Sequence, residues 1–200
     1  MVEIKLFDRW SSEGIEVKDP GLKRYISLPS LIVPRTGARY TGSRFHKSQI
    51  HIVERLINKL MVTGHRAKKH ILTSSHHTGM GVQSANLVEE ALTLVAEKTK
   101  QNPVEVLVRA IEKAAPREEI IAIEYGGARY PKAVEVAPQR RVDLVLRYMT
   151  QGAFQKSFGH KGGMARALAE EILASYNNDA AKSAALSKKT ELERQADSSR

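Results

Sequence analysis

The sequence contains no cysteine. Disulfide staples and thiolate zinc sites are therefore excluded, and the chain fits a reducing, cytoplasmic setting. It also lacks any apolar run approaching the roughly 20 residues of a membrane span, and its first residues lack the apolar stretch of a secretory signal. No membrane partner is expected. A Walker loop and a nucleophile elbow are absent too. The pairs Glu89-Glu90, Glu118-Glu119 and Glu170-Glu171 resemble acid/base dyads only on paper, because adjacent side chains do not share a helix face. Gly79-Met80-Gly81-Val82-Gln83-Ser84 carries half of a dinucleotide fingerprint, without a preceding strand or a third glycine. It reads as a turn that opens a helix. Of the seven histidines, His70, His76 and His77 come closest to a metal set, but neighbouring His76 and His77 do not face one ion easily and no carboxylate recurs at ligand spacing. The expectation is no metal, no cofactor and no enzymatic turnover.

What the chain has in plenty is positive charge. Its 32 Lys+Arg stand against 22 Asp+Glu, a net charge of +10, with a pI near 9.8. Such a field favours a polyanionic partner, nucleic acid above all. With 200 residues, 42% of them hydrophobic, the chain can bury one good core. The expected organisation is an N-terminal arm and basic loop over residues 1–47, followed by a helical RNA-binding domain over 48–200.

The most legible stretch is Glu119–Met149. Two runs rich in β-branched and aromatic residues flank Gly126-Gly127, and two glycines in succession supply the positive φ angles of a primed hairpin turn. The pattern predicts a β-hairpin over about 119–136, with Tyr125 opposite Ala128, Glu124 opposite Arg129, Ile123 opposite Tyr130 and Ile121 opposite Lys132. Opposite charges at Glu124 and Arg129 support that register. Nothing nearby reads as a third strand, and an isolated two-stranded ribbon is only marginally stable. A projecting hairpin carrying Tyr125, Gly126, Gly127, Arg129, Tyr130 and Lys132 therefore points to an outside partner; an ordinary hairpin packed on the helices is the alternative. Pro138 then opens a helix with Val142, Val145, Leu146 and Met149 on one face. Arg140 and Arg141 stand in its first turn, where the helix dipole disfavours cations and an external anion would offset the penalty.

Elsewhere the chain reads as helices separated by basic loops. Residues 1–34 are punctuated by Pro20-Gly21, Pro29 and Pro34 and predict an irregular arm on the surface. The segment Arg35–Lys47 interleaves Arg35, Arg39, Arg44 and Lys47 with Tyr40 and Phe45; arginine forks fit phosphates and rings stack on unpaired bases. Ser48 is a candidate cap for a helix with Ile50, Val53, Ile57, Leu60 and Met61 inside, ending at Gly64. A second basic cluster, His65, Arg66, Lys68 and Lys69, follows. Further helices are marked by Leu87–Val95, by Asn102-Pro103-Val104-Glu105, and by Met164, Leu168, Ile172 and Tyr176, with Lys161 in the polar link before the last. The tail 180–200 predicts a solvent-facing or partner-bound helix. The sum is a mainly α fold: about six helices in a bundle, one protruding hairpin and an extended N-terminal arm.

These same segments resemble a known family. Lys18–Ile26, Ile52–Met61, Asn102–Glu112, Ala115–Glu119, Gly126–Tyr130 and Ala137–Leu144, taken in order, are similar to the seventh ribosomal protein of the small subunit, the universal S-seven family, in its archaeal/eukaryotic form. The resemblance implies a structural protein of translation that binds the head domain of small-subunit rRNA, nucleates head assembly, and neighbours other small-subunit proteins. It implies that the hairpin, Tyr125–Lys132, reaches toward the exit-site tRNA and the mRNA path. It implies that Arg140, Arg141 and the Arg35–Lys47 loop meet rRNA phosphates. One departure stands out: many relatives carry a lysine pair where this chain has Gly79-Met80-Gly81, and Arg66, Lys68 and Lys69 are the candidate substitutes. The rivals from other classes are a helix-turn-helix DNA regulator and a nucleotide-binding protein built on Gly79–Ser84.

Overall fold

The computed structural model describes residues 4–37, 39, 41–66, 69–70 and 78–200; for 65, 66, 69 and 70 it describes the backbone. Two short strands, β1 (Lys5–Leu6) and β2 (Trp10–Ser11), pair at the start of the arm. A single 3-10 turn at His46–Gln49 leads to α1 (Ile52–Leu60). The paired strands β3 (His65–Arg66) and β4 (Lys69–His70) follow, then α2 (Gly81–Thr99) and α3 (Pro103–Ala114). The hairpin β5 (Glu118–Tyr125) and β6 (Ala128–Glu135) precedes α4 (Pro138–Ser157), α5 (Gly163–Tyr176) and α6 (Ala184–Ser198). The fold is thus mainly α, with six α-helices and one long hairpin among the described residues.

Local chemistry explains most boundaries. The Asn102 side chain accepts from the Val104 amide at 3.0 Å and Pro103 occupies the first turn, so α3 begins where its cap and its missing N–H dictate. Gly79, at φ 77, turns the chain into α2 as the sequence predicts. The start of α1 differs from expectation. Its cap is His51, whose Nδ1 accepts from the Val53 amide at 3.1 Å, while the Ser48 hydroxyl is buried without a hydrogen bond. An imidazole nitrogen here does the work that propensity assigns to a serine. Nor does Gly64 end the helix: α1 stops at Leu60 and residues 61–64 form a further turn.

The core is gathered around α5, which packs against α2, α3 and α4. Leu56, Leu60, Leu92, Leu107, Ile111, Leu146, Met149, Leu168 and Ile172 are fully buried in it. Leu6, Leu22 and Ile26 of the arm join the same core. The expected surface arm is irregular but not superficial: Leu6 turns inward from β1, and Leu22 and Ile26 from one helical turn closed by the Ile26 amide on the Leu22 carbonyl at 3.1 Å.

The C-terminal helix buries only Ala185, Leu186 and Ala196, so polar bonds do much of the fastening. Glu171, fully buried, accepts from Lys156 Nζ at 2.7 Å, Ser183 Oγ at 2.9 Å and the Ala185 amide at 3.1 Å. A buried carboxylate needs such complete satisfaction. Gly152 lets the helices approach: a Cβ there would lie 2.6 Å from that of Ala184. At its far end α6 meets the hairpin base, where Glu193 accepts from the Arg117 amide at 3.0 Å and Arg200 pairs with Glu118.

Candidate nucleic-acid interface

The hairpin has the register its sequence dictates. Tyr125 pairs with Ala128, Glu124 with Arg129, Ile123 with Tyr130 and Ile121 with Lys132, around Gly126 and Gly127 at φ 57 and 82. Among the described residues it forms a sheet of two strands, and residues 121–132 are exposed on both of them. Ile121, Ile123, Tyr125, Tyr130 and Lys132 share one face, with Tyr125 81% exposed at the tip. The Glu124–Arg129 ion pair, 3.6 Å long, lies in solvent and so contributes little stability.

The cations divide into two kinds. Between residues 35 and 69 there are nine Lys/Arg and a single carboxylate, Glu54. Glu54 is buried and its Oε1 is occupied by the Thr36 amide at 3.0 Å and hydroxyl at 2.6 Å. Arg35, Arg39, Arg44 and Lys47 are exposed, and Arg44 lies 5.3 Å from the centre of the Phe45 ring. Behind this loop, the 3-10 turn, α1 and α4 gather Lys47, Arg55, Lys59 and Arg147 in a cluster with one carboxylate, Asp143. Asp143 pairs with Lys47 at 3.4 Å and with Arg55 at 3.2 Å; Arg55 also donates to the Tyr25 carbonyl at 2.8 Å. Burial pushes the Lys59 ammonium below its ordinary pKa, Asp143 pushes it back up, and Arg147, Lys47 and Arg55 lower it further. One acid cannot neutralise four bases, so the cluster keeps an excess positive field.

Arg55, Lys59 and Arg147 are absent from the sequence-based expectation. The signal for them was the i, i+4 spacing of Arg55 with Lys59 on α1 and of Asp143 with Arg147 on α4, which puts each pair on one helix face.

Arg140 and Arg141, expected to meet rRNA phosphates, both have partners within the chain. Arg140 grips Glu119 bidentately, Nε to Oε1 at 2.7 Å and Nη2 to Oε2 at 2.8 Å, and the Glu119 hydrogen bond raises its pKa. Arg141 is buried, donating from Nε to the Pro116 carbonyl at 3.0 Å and from Nη2 to Asp19 Oδ2 at 3.0 Å. The anions that offset the helix-dipole penalty come from within the chain. Lys161 is exposed with His160 and Arg166 beside an open cleft of about 420 Å³. His65, Arg66 and Lys69 are placed by backbone alone, His65 opposite His70 and Arg66 opposite Lys69, while Lys68, Tyr40, His76 and His77 lie outside the described residues. Among the described residues no cluster of acidic and histidine side chains could hold a metal, and no helix is long and apolar enough to cross a membrane.

A helical body, a projecting ribbon and a carboxylate-poor basic loop define a class, and comparison with known sequences gives the same one. The family profile "Ribosomal protein S7p/S5e" matches residues 22–200. The chain therefore belongs to the S7p/S5e family of small-subunit ribosomal proteins, structural components of the cytoplasmic ribosome that serve translation. More particularly, it is 48% identical over 199 residues to "Small ribosomal subunit protein uS7" of Nanoarchaeum equitans (strain Kin4-M), with all of both chains covered.

Proposed function

We propose that the protein binds the head domain of small-subunit rRNA, nucleates folding of that head, and holds its β5–β6 hairpin toward the exit-site tRNA and the mRNA path. Supporting this reading is the run of exposed Arg35, Arg39, Arg44 and Lys47, continued by Lys59 and Arg147, whose nearby carboxylates are the buried Glu54, held by Thr36, and Asp143, shared between Lys47 and Arg55. Affinity arises from Lys/Arg–phosphate pairs, and specificity from the shape of a folded RNA junction. On this reading His65, Arg66, Lys68, Lys69 and Lys161 are further rRNA contacts. Arg141 acts from inside, by tying the start of α4 to Asp19 and Pro116. Other small-subunit proteins adjoin it in the assembled particle.

The test is direct binding of the full chain to isolated rRNA fragments from the head and from the body of the subunit, at matched salt. Tight binding to the head fragment with much weaker binding to the body fragment is expected. Equal affinity for both would reduce the surface to a nonspecific polycation and overturn the assignment.

A further inference from the structure

Phe45 sits where neither packing nor backbone geometry wants it. Its side chain is 57% exposed, outside the core. Its backbone is left-handed, at φ 62 and ψ 21, a conformation in which the Cβ of an L-residue crowds the backbone. Glycine or asparagine would suit the position better, and Phe45 offers the following 3-10 turn no side-chain cap. A strained residue held in solvent is a mark of function rather than of folding. The ring is also accompanied, because the Arg44 guanidinium lies 5.3 Å from its centroid. Both residues stand within the segment that holds nine Lys/Arg and one buried carboxylate.

We propose that Arg44 and Phe45 form a stacking platform for an unpaired RNA base, with the Phe45 ring against the base and Arg44 beside it on the adjacent phosphate. The surrounding positive charge selects RNA over an apolar protein segment as the occupant. A base within an A-form duplex is already stacked on both sides, so the ligand is a nucleotide from a loop, bulge or junction. This rests on the rRNA-binding reading above and adds to it the stacking of the Phe45 ring, a contact that carries no charge of its own.

The experiment uses the full-length protein and a head-domain rRNA fragment in which unpaired purines are replaced one at a time by 2-aminopurine. Phe45→Gly removes the ring and suits the backbone, Phe45→Leu keeps an apolar side chain without a ring, and Phe45→Tyr keeps the ring. The glycine and leucine variants are expected to lose about 5- to 100-fold in affinity, as for one stacked base, with the salt slope unchanged. Phe45→Tyr retains affinity, and Phe45→Gly melts at the wild-type temperature or above. One 2-aminopurine position changes fluorescence on binding the wild type and not the glycine variant. Wild-type affinity in both the glycine and leucine variants would overturn the platform while leaving the rRNA reading intact, and would point to a protein neighbour over the ring. Failure of the wild type itself to bind the head fragment would overturn both.

Discussion

Two groups of arginines show how little residue type says about role. Arg140 and Arg141 open α4 and are claimed by the chain itself, through Glu119, Asp19 and the Pro116 carbonyl. Arg35, Arg39 and Arg44 stand in a loop where Glu54, the one carboxylate in sequence between residues 35 and 69, is buried and occupied by Thr36, and where Asp143 is taken by Lys47 and Arg55. On the proposed function, the first pair belongs to the frame and the second group to the grip. What separates them is the supply of carboxylates within reach, and that supply is set by the fold. Asp19 is 122 residues from Arg141 in sequence, so no local pattern could announce their meeting.

The comparison is sharpened first through the frame beneath the basic loop. His51 caps α1 from a site 1% exposed, and burial holds its pKa at about 4, well below the ordinary 6.5. Since Nδ1 accepts from the Val53 amide, the proton sits on Nε2, which faces Ser12 Oγ at 3.3 Å. Below pH 6.5 the unfolded chain takes up a proton that the folded chain refuses. The stability that His51 contributes is thus complete above about pH 6.5 and is lost progressively down to about pH 4, in total about 3 kcal/mol. Urea unfolding at pH 7.5 and 4.5 should show this loss in the wild type and a smaller one in His51→Asn, which keeps a cap without titrating. Equal losses in both would place the sensitivity elsewhere.

Next in size is the buried arginine. Arg141→Ala removes two hydrogen bonds and leaves Asp19, a partly buried carboxylate, with the Gly21 amide on Oδ1 but without its cation, so the expected cost is about 2–3 kcal/mol. Arg140→Ala, at an exposed pair with Glu119, should cost less than about 1 kcal/mol despite its bidentate geometry. Denaturant midpoints at constant m-value check both. A reversed order would mean that burial does not distinguish the two neighbours.

Much of this was legible in the sequence, and the reasons are local. Gly126-Gly127 sets the hairpin turn, and the whole register follows by counting outward. Asn102-Pro103 opens α3 because its cap and its first-turn proline are adjacent in the chain. The basic character of Arg35–Lys47 is likewise written in consecutive residues. What stayed hidden depends on distant partners: Leu6, Leu22 and Ile26 entering the core, the Glu171 network that anchors α6, and the four cations around Asp143. The displacement of the α1 cap from Ser48 to His51 has a different cause. Propensity ranks serine above histidine, and only the buried setting beside Ser12 reverses that order.

The division into frame and grip is tested most directly by the salt dependence of binding to a head-domain rRNA fragment. Removing one cation–phosphate pair should flatten the log–log slope by about 0.7–0.9 units. The triple variant Arg35→Ala, Arg39→Ala, Arg44→Ala is predicted to flatten it by about 2–3 units on the same scale, while Arg140→Gln with Arg141→Gln, measured well below its melting temperature, leaves the slope as in the wild type. A flattened slope in the Arg140/Arg141 variant together with an unchanged one in the loop variant would contradict the account.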